Sequence, residues 1–383
     1  MNIRQRWWAV LVVGLALLSI MPGGAQAQSD PGAGQAWLAF AIDGDIYILN
    51  PDSGALRRIT TGDRIDTQPN WSPDGEWIVF AAVAYDGKQI FRVRTDGSLV
   101  QPLTGTEFRQ VWDPVYSPDG EWITFTGVDL GRNPSLGHTS MDIYRMRPDG
   151  TDREAIVTTI GHDQYPVWWS PDSAQIAFFS DQGGQWALYR SWADGSRRER
   201  ITDLTPIYSR PVLFPWSPDG EWIAFDSELN AAYNRDIYRV RAMGSVPQRL
   251  TDGPGTDQYP AWSPDGNWIA YLSSTPGRGI AGIYRVSANG SHVQQLVELP
   301  GSIIFPPSWS PDGAWIAFIT YLQPPGAVSV YRVRPWGGEI EELATFRIEN
   351  TGLLNTYRDG PQWSSLLGPN SGPNAPVAEW LQP

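Results

Sequence analysis

The chain contains no cysteine and only three histidines among its 383 residues. Without cysteine there is no disulfide, no thiolate nucleophile, no cysteine-ligated zinc and no lipid anchor attached through an N-terminal cysteine. Basic residues are also scarce, with 28 Lys and Arg against 41 Asp and Glu, and the formal net charge is −13. That charge repels polyanions such as DNA, and no basic run offsets it. The sequence therefore predicts no nucleic-acid partner.

Long apolar runs are missing except near the N-terminus. Arg4 and Arg6 precede an apolar stretch from Trp7 to Met21, and Ala25-Gln-Ala27 follows it. This three-part pattern is typical of a secretory signal cleaved after Ala27. The stretch is shorter than the roughly 20 residues that cross a bilayer as a helix. The pattern predicts a signal peptide over residues 1–27, a spacer over 28–35, and a periplasmic or secreted protein without membrane insertion after cleavage.

One sequence unit recurs along the rest of the chain. Trp71-Ser-Pro-Asp-Gly-Glu-Trp-Ile-Val-Phe80 is followed by further copies that begin 45 to 53 residues apart. Their first residues are Tyr116, Trp169, Trp216, Trp262 and Trp309. The copy at Trp169 is degenerate, because Ser-Ala-Gln replaces Gly-Glu-Trp. A period of this length is typical of a four-stranded β-propeller blade.

Each unit reads as four short strands. A Pro-containing segment before the anchor forms the innermost strand, and Ser-Pro-Asp-Gly forms a tight turn in which Pro presets φ and Gly accepts the last position. The apolar Trp-Ile-Ala-Phe strand is covered on both faces when blades pack together. A third strand such as Ile237-Tyr-Arg-Val240 follows, and its Arg indicates that one face is more exposed to solvent than in the second strand. An Asp-Gly or Asn-Gly hairpin leads to the outermost strand.

The two ends of the chain give the blade count. The N-terminal unit begins at its second strand, Trp37-Leu-Ala-Phe40, and the missing inner strand appears as Gly360-Pro-Gln-Trp363 near the C-terminus. Six complete units and this split one predict an all-β, closed seven-bladed propeller over residues 36–367. Six blades is the alternative if the C-terminal copy does not close the ring. Residues 368–383, rich in Gly, Pro and Asn, are predicted to be a disordered tail.

The repeated Trp-Ser-Pro-Asp-Gly, Ile-Ala-Phe, Ile-Tyr-Arg-Val and Asp-Gly-Ser elements resemble the repeat of TolB-like propellers. They are also similar to the propellers of prolyl-oligopeptidase-type enzymes. The resemblance covers residues 36–367 and rests on scaffold residues. TolB proteins carry an α/β domain before the propeller, where this sequence has only the short spacer after Ala27. No Gly-x-Ser-x-Gly elbow, which the peptidase relatives use, occurs in the sequence.

Most residues that suggest chemistry have a structural explanation. Twelve of the 20 tryptophans fall into two repeat columns and are interpreted as blade-packing residues. Gly277-Arg-Gly-Ile-Ala-Gly282 has dinucleotide-loop spacing but links two strands, so no cofactor is predicted. His138, His162 and His292 lack the spacing of metal ligands, and no metal or catalytic residue is assigned.

Acidic residues recur in two places. The Asp of each Ser-Pro-Asp-Gly turn is explained by turn geometry. A second set lies in or just before the inner strands and consists of Asp66, Asp113, Asp163, Asp257 and Asp359. This set is interpreted as anchoring the loop backbone, with a cation site or hydrogen-bonding ring at the channel mouth as the alternative.

Strand direction divides the loops between two faces of the ring. The Ser-Pro-Asp-Gly turns and Asp-Gly hairpins are short and share one face, whereas the longer, more variable loops share the other. Variable loops favour binding on that second face. The candidate binding residues there are Arg109, Trp112, His138, His162, Tyr165, Tyr208, Arg210, Tyr233, Arg235, Tyr259, Arg278 and Arg358.

These observations predict a monomeric, exported binding propeller that engages a protein, peptide or glycan and is not itself an enzyme. Two alternatives remain open. One is a propeller lyase or hydrolase acting on an extracellular polymer, and the other is a TolB-type envelope scaffold.

Overall fold

The described part of the chain is built from β-strands, with no helix. The computed structural model describes residues 19–20 and 36–347, apart from 85–86, 130–140, 159–162, 183–185, 204–214, 230–233, 276–279, 301, 305 and 323–326. No helix long and apolar enough to cross a bilayer occurs among these residues.

The strands form seven antiparallel sheets, which are the blades of the propeller. Blade one contains β1 (Ser19–Ile20), β2 (Leu38–Ile42), β3 (Asp45–Leu49) and β4 (Leu56–Arg58). Blade two contains β5 (Ile65–Trp71), β6 (Trp77–Ala84), β7 (Gly87–Arg94) and β8 (Val100–Pro102). Blade three contains β9 (Phe108–Tyr116), β10 (Ile123–Asp129), β11 (Asp142–Met146) and β12 (Glu154–Val157). Blade four contains β13 (Asp163–Trp169), β14 (Gln175–Ser180), β15 (Ala187–Trp192) and β16 (Glu199–Asp203).

The last three blades follow the same order. Blade five contains β17 (Trp222–Ser227), β18 (Asp236–Arg241) and β19 (Gln248–Arg249), and Trp216 makes an isolated bridge to Ile223 in the inner-strand position. Blade six contains β20 (Thr256–Trp262), β21 (Trp268–Thr275), β22 (Ile280–Ser287) and β23 (Val293–Pro300). Blade seven contains β24 (Ser302–Ile304), β25 (Ser308–Trp309), β26 (Ile316–Leu322), β27 (Ala327–Val333) and β28 (Glu341–Arg347). The predicted seven-bladed fold is confirmed.

The Ser-Pro-Asp-Gly turns have one hydrogen-bond pattern. In blade two the Ser72 hydroxyl donates to Asp74 Oδ1 at 2.5 Å and accepts from the Trp77 N–H at 2.9 Å. Gly75 adopts φ +72°, which glycine accepts without strain. Blade four has Ser173 at this position with φ +60°, and its hydroxyl accepts the Asp119 N–H of blade three at 3.0 Å. The turn aspartates therefore serve turn geometry, as the sequence indicates.

Seven apolar clusters lie between successive blades, one at each interface. The cluster that closes the ring joins Leu38 and Phe40 of blade one to Ile319 and Val330 of blade seven. Phe346 of β28 also packs on Phe40, with ring centroids 5.7 Å apart. Face-to-face burial of this kind is the main stabilising contribution in a propeller, because it removes both faces of each sheet from water.

The inner edge of blade one pairs with a segment from near the N-terminus. Ser19 is opposite Ala39 and Ile20 is opposite Leu38, so β1 occupies the inner-strand position in the full-length chain. β1 lies within the predicted signal peptide, and cleavage after Ala27 would remove it. The sequence predicts Gly360-Pro-Gln-Trp363 for this position, and that segment lies outside the described residues.

The two tryptophan columns have different surroundings. The described tryptophans of the first column are buried. The indole N–H groups of Trp169, Trp216, Trp262 and Trp309 donate to the preceding blade, as in Trp309 to the Ala261 carbonyl at 3.0 Å. The second column is half-buried from Trp77 onwards and is covered by arginines at the third strand, whereas Trp37 is buried and has Arg57 of β4 over its ring. In blade five the Arg239 and Arg241 guanidinium groups lie 3.9 and 4.3 Å from the Trp222 ring centroid. This stacking explains the Arg in the third strands of blades two, three, five, six and seven.

Candidate functional site

The two faces of the ring differ in their strand ends. We call the face with the Ser-Pro-Asp-Gly turns and the third-to-fourth-strand hairpins the short-turn face, and the opposite one the wide-loop face. Strand β9 ends at the turn that begins with Ser117, so its first residues, Phe108 and Arg109, lie towards the wide-loop face. The innermost strands line the axis of the ring and lead to the channel mouth on that face.

The innermost strands β5, β9, β13 and β20 each contain a register shift. Gln68 in β5, Asp113 in β9 and Tyr259 in β20 have φ of +58°, +50° and +60°, and the strand registers shift at these points. Each of the three directly precedes a proline, which makes a left-handed conformation unfavourable for a residue with a Cβ. The same backbone strain recurs at one position of the blade. It redirects the side chains at that position, which is therefore a candidate functional site.

A buried polar cluster joins two of these register shifts. Gln68 donates through Nε2 to Asp113 Oδ1, and its Oε1 accepts from the Lys88 ammonium at 3.2 Å and the Asp113 N–H at 3.2 Å. Lys88 is only 6% exposed, and the other two side chains are also buried. We call these three residues the lysine cluster.

Burial changes the ionisation of the lysine cluster. It lowers the pKa of Lys88 to about 8, although the charge of Asp113 opposes the change. It raises the pKa of Asp113 to about 6, against the opposing effects of Lys88 and the Gln68 hydrogen bond. Both groups therefore titrate within about a unit of neutral pH.

Two predicted binding residues lie beside the lysine cluster. Trp112 is half-buried on β9, with the Lys88 ammonium 5.7 Å from its ring centroid. Arg109, three residues earlier on the same strand, is exposed. The arrangement places a cation over an aromatic ring, and a second, solvated cation lies nearer the wide-loop end of the same strand.

Blade five has a buried cation at the equivalent position. Lys88 lies two residues before Ile90, and Arg235 lies two residues before Ile237; both isoleucine N–H groups donate to a threonine hydroxyl. Arg235 pairs with Asp226 and lies 3.6 Å from Glu228 Oε1. We call Asp226, Glu228 and Arg235 the arginine cluster. Burial raises the pKa of Asp226, and Arg235 opposes that effect.

Tyr259 belongs to the surroundings of the arginine cluster. Burial, together with the nearby Asp226 charge, raises its pKa to about 12. Arg235 is 5% exposed, so the structure places it in a buried ion pair, whereas the sequence predicts a rim residue. The strand pattern in the sequence does not indicate that Asp226 and Glu228 both lie close to the Arg235 guanidinium group. The structure thus brings Arg235 and Tyr259 together in blades five and six, separate from Arg109 and Trp112 in blade three.

The other predicted site residues have no described side chain. Tyr165 lies in β13, whose side chain at that position is outside the described set. The remaining ones lie outside the described residues and are His138, His162, Tyr208, Arg210, Tyr233, Arg278 and Arg358.

The inner-strand acids Asp66 and Asp257 are buried, and the anchoring of the loop backbone by their carboxylates stays a prediction. The N–H of Asp66 donates to the Gly44 carbonyl and that of Asp257 to the Arg235 carbonyl, both at 2.8 Å. Burial raises the pKa of both side chains. Among the described residues, no group of three His, Cys, Asp or Glu side chains is placed to hold a metal ion.

The short-turn face carries exposed apolar side chains, which the lengths of its loops do not predict. Within the described part of the chain, all large apolar side chains that are exposed lie in third-to-fourth-strand hairpins, and these are Leu56, Leu99, Trp192, Met243, Val246, Val293 and Trp336. Trp192 and Trp336 stand outside both tryptophan columns. That departure from the repeat was the available sequence signal.

Seven four-stranded blades closed into a ring, with charged clusters at the inner strands, define a seven-bladed β-propeller. The chain belongs to the family described as the TolB β-propeller domain, which matches residues 30–136 and 215–351. Residues 137–214, which include all of blade four, lie outside both matches.

Relatives and solved structures agree on the propeller. The chain is 30% identical over 173 residues to the Tol-Pal system protein TolB of Bordetella pertussis, which covers 45% of this chain and 37% of that protein. It spans less than half the length of the curated relatives that it matches first.

Two solved structures are similar in fold. The putative TolB of Agrobacterium tumefaciens has a TM-score of 0.52 and 21% identity, covering 72% of this chain and 96% of that one. The oligogalacturonate lyase of Vibrio parahaemolyticus has a TM-score of 0.58 and 13% identity, covering 80% and 84%.

Proposed function

We propose that this protein is a non-catalytic binding propeller of the bacterial cell envelope that engages a partner protein at the wide-loop face. Membership of the TolB propeller family supports this function, as does a relative named as a Tol-Pal system protein. The N-terminal pattern supports export, with cleavage after Ala27 and a periplasmic or secreted location.

The observation that carries the proposal is half-buried Trp112 beside the lysine cluster, with exposed Arg109 three residues earlier on the same strand. Arg and Trp are the side chains most enriched among residues that dominate binding energy. Both residues lie on the innermost strand β9. The net charge of −13 adds a field that disfavours nucleic acid.

A second candidate function is a propeller lyase or hydrolase. The pKa values of about 8 for Lys88 and about 6 for Asp113 favour it, because values near neutrality suit acid–base catalysis. The burial of both side chains and the hydrogen bonding of Lys88 to Gln68 favour a supporting role instead. A catalytic group must reach the reacting atoms.

Site-specific cross-linking tests the two functions. A photoreactive phenylalanine analogue replaces Trp112 in the full chain expressed in an exporting host, and the captured protein is purified. The matched control places the same analogue at Trp336, on the other face. Binding predicts a product from position 112 that is absent from position 336, and equal products would contradict it. Turnover of pectic, glucan or peptide substrates that Lys88→Met abolishes would replace the binding function with the enzyme.

A further inference from the structure

The innermost strand of blade one is shorter than the others and comes from a different part of the chain. Strands β5, β9, β13 and β20 have seven to nine residues and end at an anchor, the Trp or Tyr directly before Ser-Pro-Asp. In blade one the position is held by the two residues of β1, which pair with only two residues of β2. Because β1 belongs to the predicted signal peptide, cleavage would expose the inner edge of β2 for another segment.

The pairing register identifies the residue that stands at the anchor position of blade one. In each other blade the anchor lies opposite one apolar residue of the second strand, as Trp71 lies opposite Ile78. The equivalent residue of blade one is Leu38, and Ile20 lies opposite it. Ile20 therefore holds the register position of an aromatic anchor. The corresponding pairs in blades three to seven are Tyr116–Ile123, Trp169–Ile176, Trp216–Ile223, Trp262–Ile269 and Trp309–Ile316.

The anchors also pack between blades. Six of the seven apolar clusters contain an anchor, which packs there with residues of the preceding blade. The cluster between blades seven and one is built, among the described residues, from second, third and fourth strands alone, as in Phe40, Val330 and Phe346. Leu38 belongs to this cluster. An anchor opposite Leu38 would complete the closing interface in the way that the other six are completed.

The sequence contains one further copy of the anchor, at Trp363. Pro361 stands two residues before it, as Pro69 stands before Trp71, and the same spacing recurs in blades three, six and seven. In blades two to six the anchor follows the last residue of the preceding fourth strand by 12 to 14 residues, and Trp363 follows Arg347 of β28 by 16. The C-terminal segment therefore matches the repeat in both sequence and spacing.

We propose that β1 is a temporary inner strand and that residues 360–364 replace it when the signal peptide is removed. In the repeat register Trp363 then lies opposite Leu38, and Gln362 lies opposite Ala39. An open strand edge pairs readily with an extended segment, and a segment of the same chain is present at high effective concentration. This inference rests on the export signal proposed above and does not depend on the partner at the wide-loop face.

The contacts that close the ring are independent of β1. Leu38 and Phe40 pack against blade seven, and Arg332 of blade seven forms a salt bridge with Asp52 of blade one at 2.8 Å. Loss of β1 therefore leaves these contacts in place, with the edge of β2 ready to accept a new strand. Removal of the signal peptide then completes the propeller.

Introduced cysteines can report which segment lies beside β2, because the chain has none of its own. Ala39→Cys is combined with Ser19→Cys in the precursor, purified from the cytoplasm, and with Gln362→Cys in both the precursor and the exported protein. The proposal predicts a 19–39 disulfide in the precursor and a 39–362 disulfide in the exported protein alone. Ala39→Cys with Ser371→Cys is the control and should not cross-link. A 39–362 disulfide that forms equally in both proteins, or in neither, would overturn the exchange.

Melting temperatures provide a second test that leaves β2 unchanged. Trp363→Ser should lower the melting temperature of the exported protein by at least about 5 °C and leave that of the precursor unchanged, because only the exported protein buries Trp363. Trp380→Ser is the matched control in the same segment and should change neither. An unchanged melting temperature for exported Trp363→Ser would overturn the exchange.

N-terminal sequencing of the exported protein separates the two proposals. A protein that still begins at Met1 would overturn the export signal and the exchange together. A protein cleaved after Ala27 that forms no 39–362 disulfide would overturn the exchange alone.

Discussion

Blades two and five bury a cation at the same position of the repeat, but with different partners. Lys88 has a neutral amide and one carboxylate around it, whereas Arg235 has two carboxylates. An ammonium loses its proton when burial lowers its pKa, while a guanidinium stays charged. The comparison indicates that the arginine cluster is a fixed structural pair and that the lysine cluster responds to pH next to the proposed binding residues.

The largest expected change in stability comes from removing the cation of blade five. Arg235→Met leaves Asp226 and Glu228 buried without their cation and should lower the free energy of unfolding by about 3–5 kcal/mol. Lys88→Met should lower the free energy of unfolding by only about 1–2 kcal/mol. Asp113 then takes up a proton, so no uncompensated charge stays buried in blade two. Urea unfolding of both variants measures the difference. Equal losses would show that the two clusters do not differ.

The pH dependence of the lysine cluster is the next effect in size. The pKa of Asp113 is raised to about 6 from an ordinary value of 3.8, so between these pH values the folded state binds more protons than the unfolded state. Stability from this group is therefore present below pH 4 and is lost as the pH rises through 6. Relative to Asp113→Asn, the wild type should lose about 2 kcal/mol over this range. If the difference in free energy of unfolding between the two proteins stayed constant from pH 4 to 7, titration of Asp113 in this range would be excluded.

The smallest effect comes from exchanging the cations. Lys88→Arg gives blade two the cation of blade five and should change stability by less than about 1 kcal/mol at pH 7. The wild type should become more stable as the pH rises from 8 to 10, because folded Lys88 releases its proton at about pH 8, well before unfolded lysine does. The variant should lack that rise. Melting temperatures across this pH range measure it, and parallel curves would contradict the lowered pKa.

The fold was predictable because its information is local and repeated. In blade two, for example, Trp71, Gly75 and Phe80 specify the end of the inner strand, the turn and the buried face of the second strand within ten residues. The same signal explains why blade four was recognised as a blade although Ser173 and Gln175 depart from the pattern.

The site was only partly predictable, because its contacts depend on packing between blades. Lys88 is 25 residues from Asp113, and nothing in either segment shows that Gln68 bridges them. Gln68 precedes a proline, and its local sequence disfavours the left-handed backbone that it adopts. That conformation depends on the register of the strand and could not be predicted from the neighbouring residues. Arg235 was predicted on the rim because its loop is variable, whereas the carboxylates of Asp226 and Glu228 hold it inside.

The affinity of the captured partner tests the central claim most directly. Isothermal titration calorimetry compares the wild type with the double variant Arg109→Ala, Trp112→Ala, and with Trp336→Ala as the control on the other face. Binding at the wide-loop face predicts a dissociation constant at least about tenfold higher for the double variant and an unchanged one for the control. An unchanged dissociation constant for the double variant, with its melting temperature preserved, would contradict the proposed function.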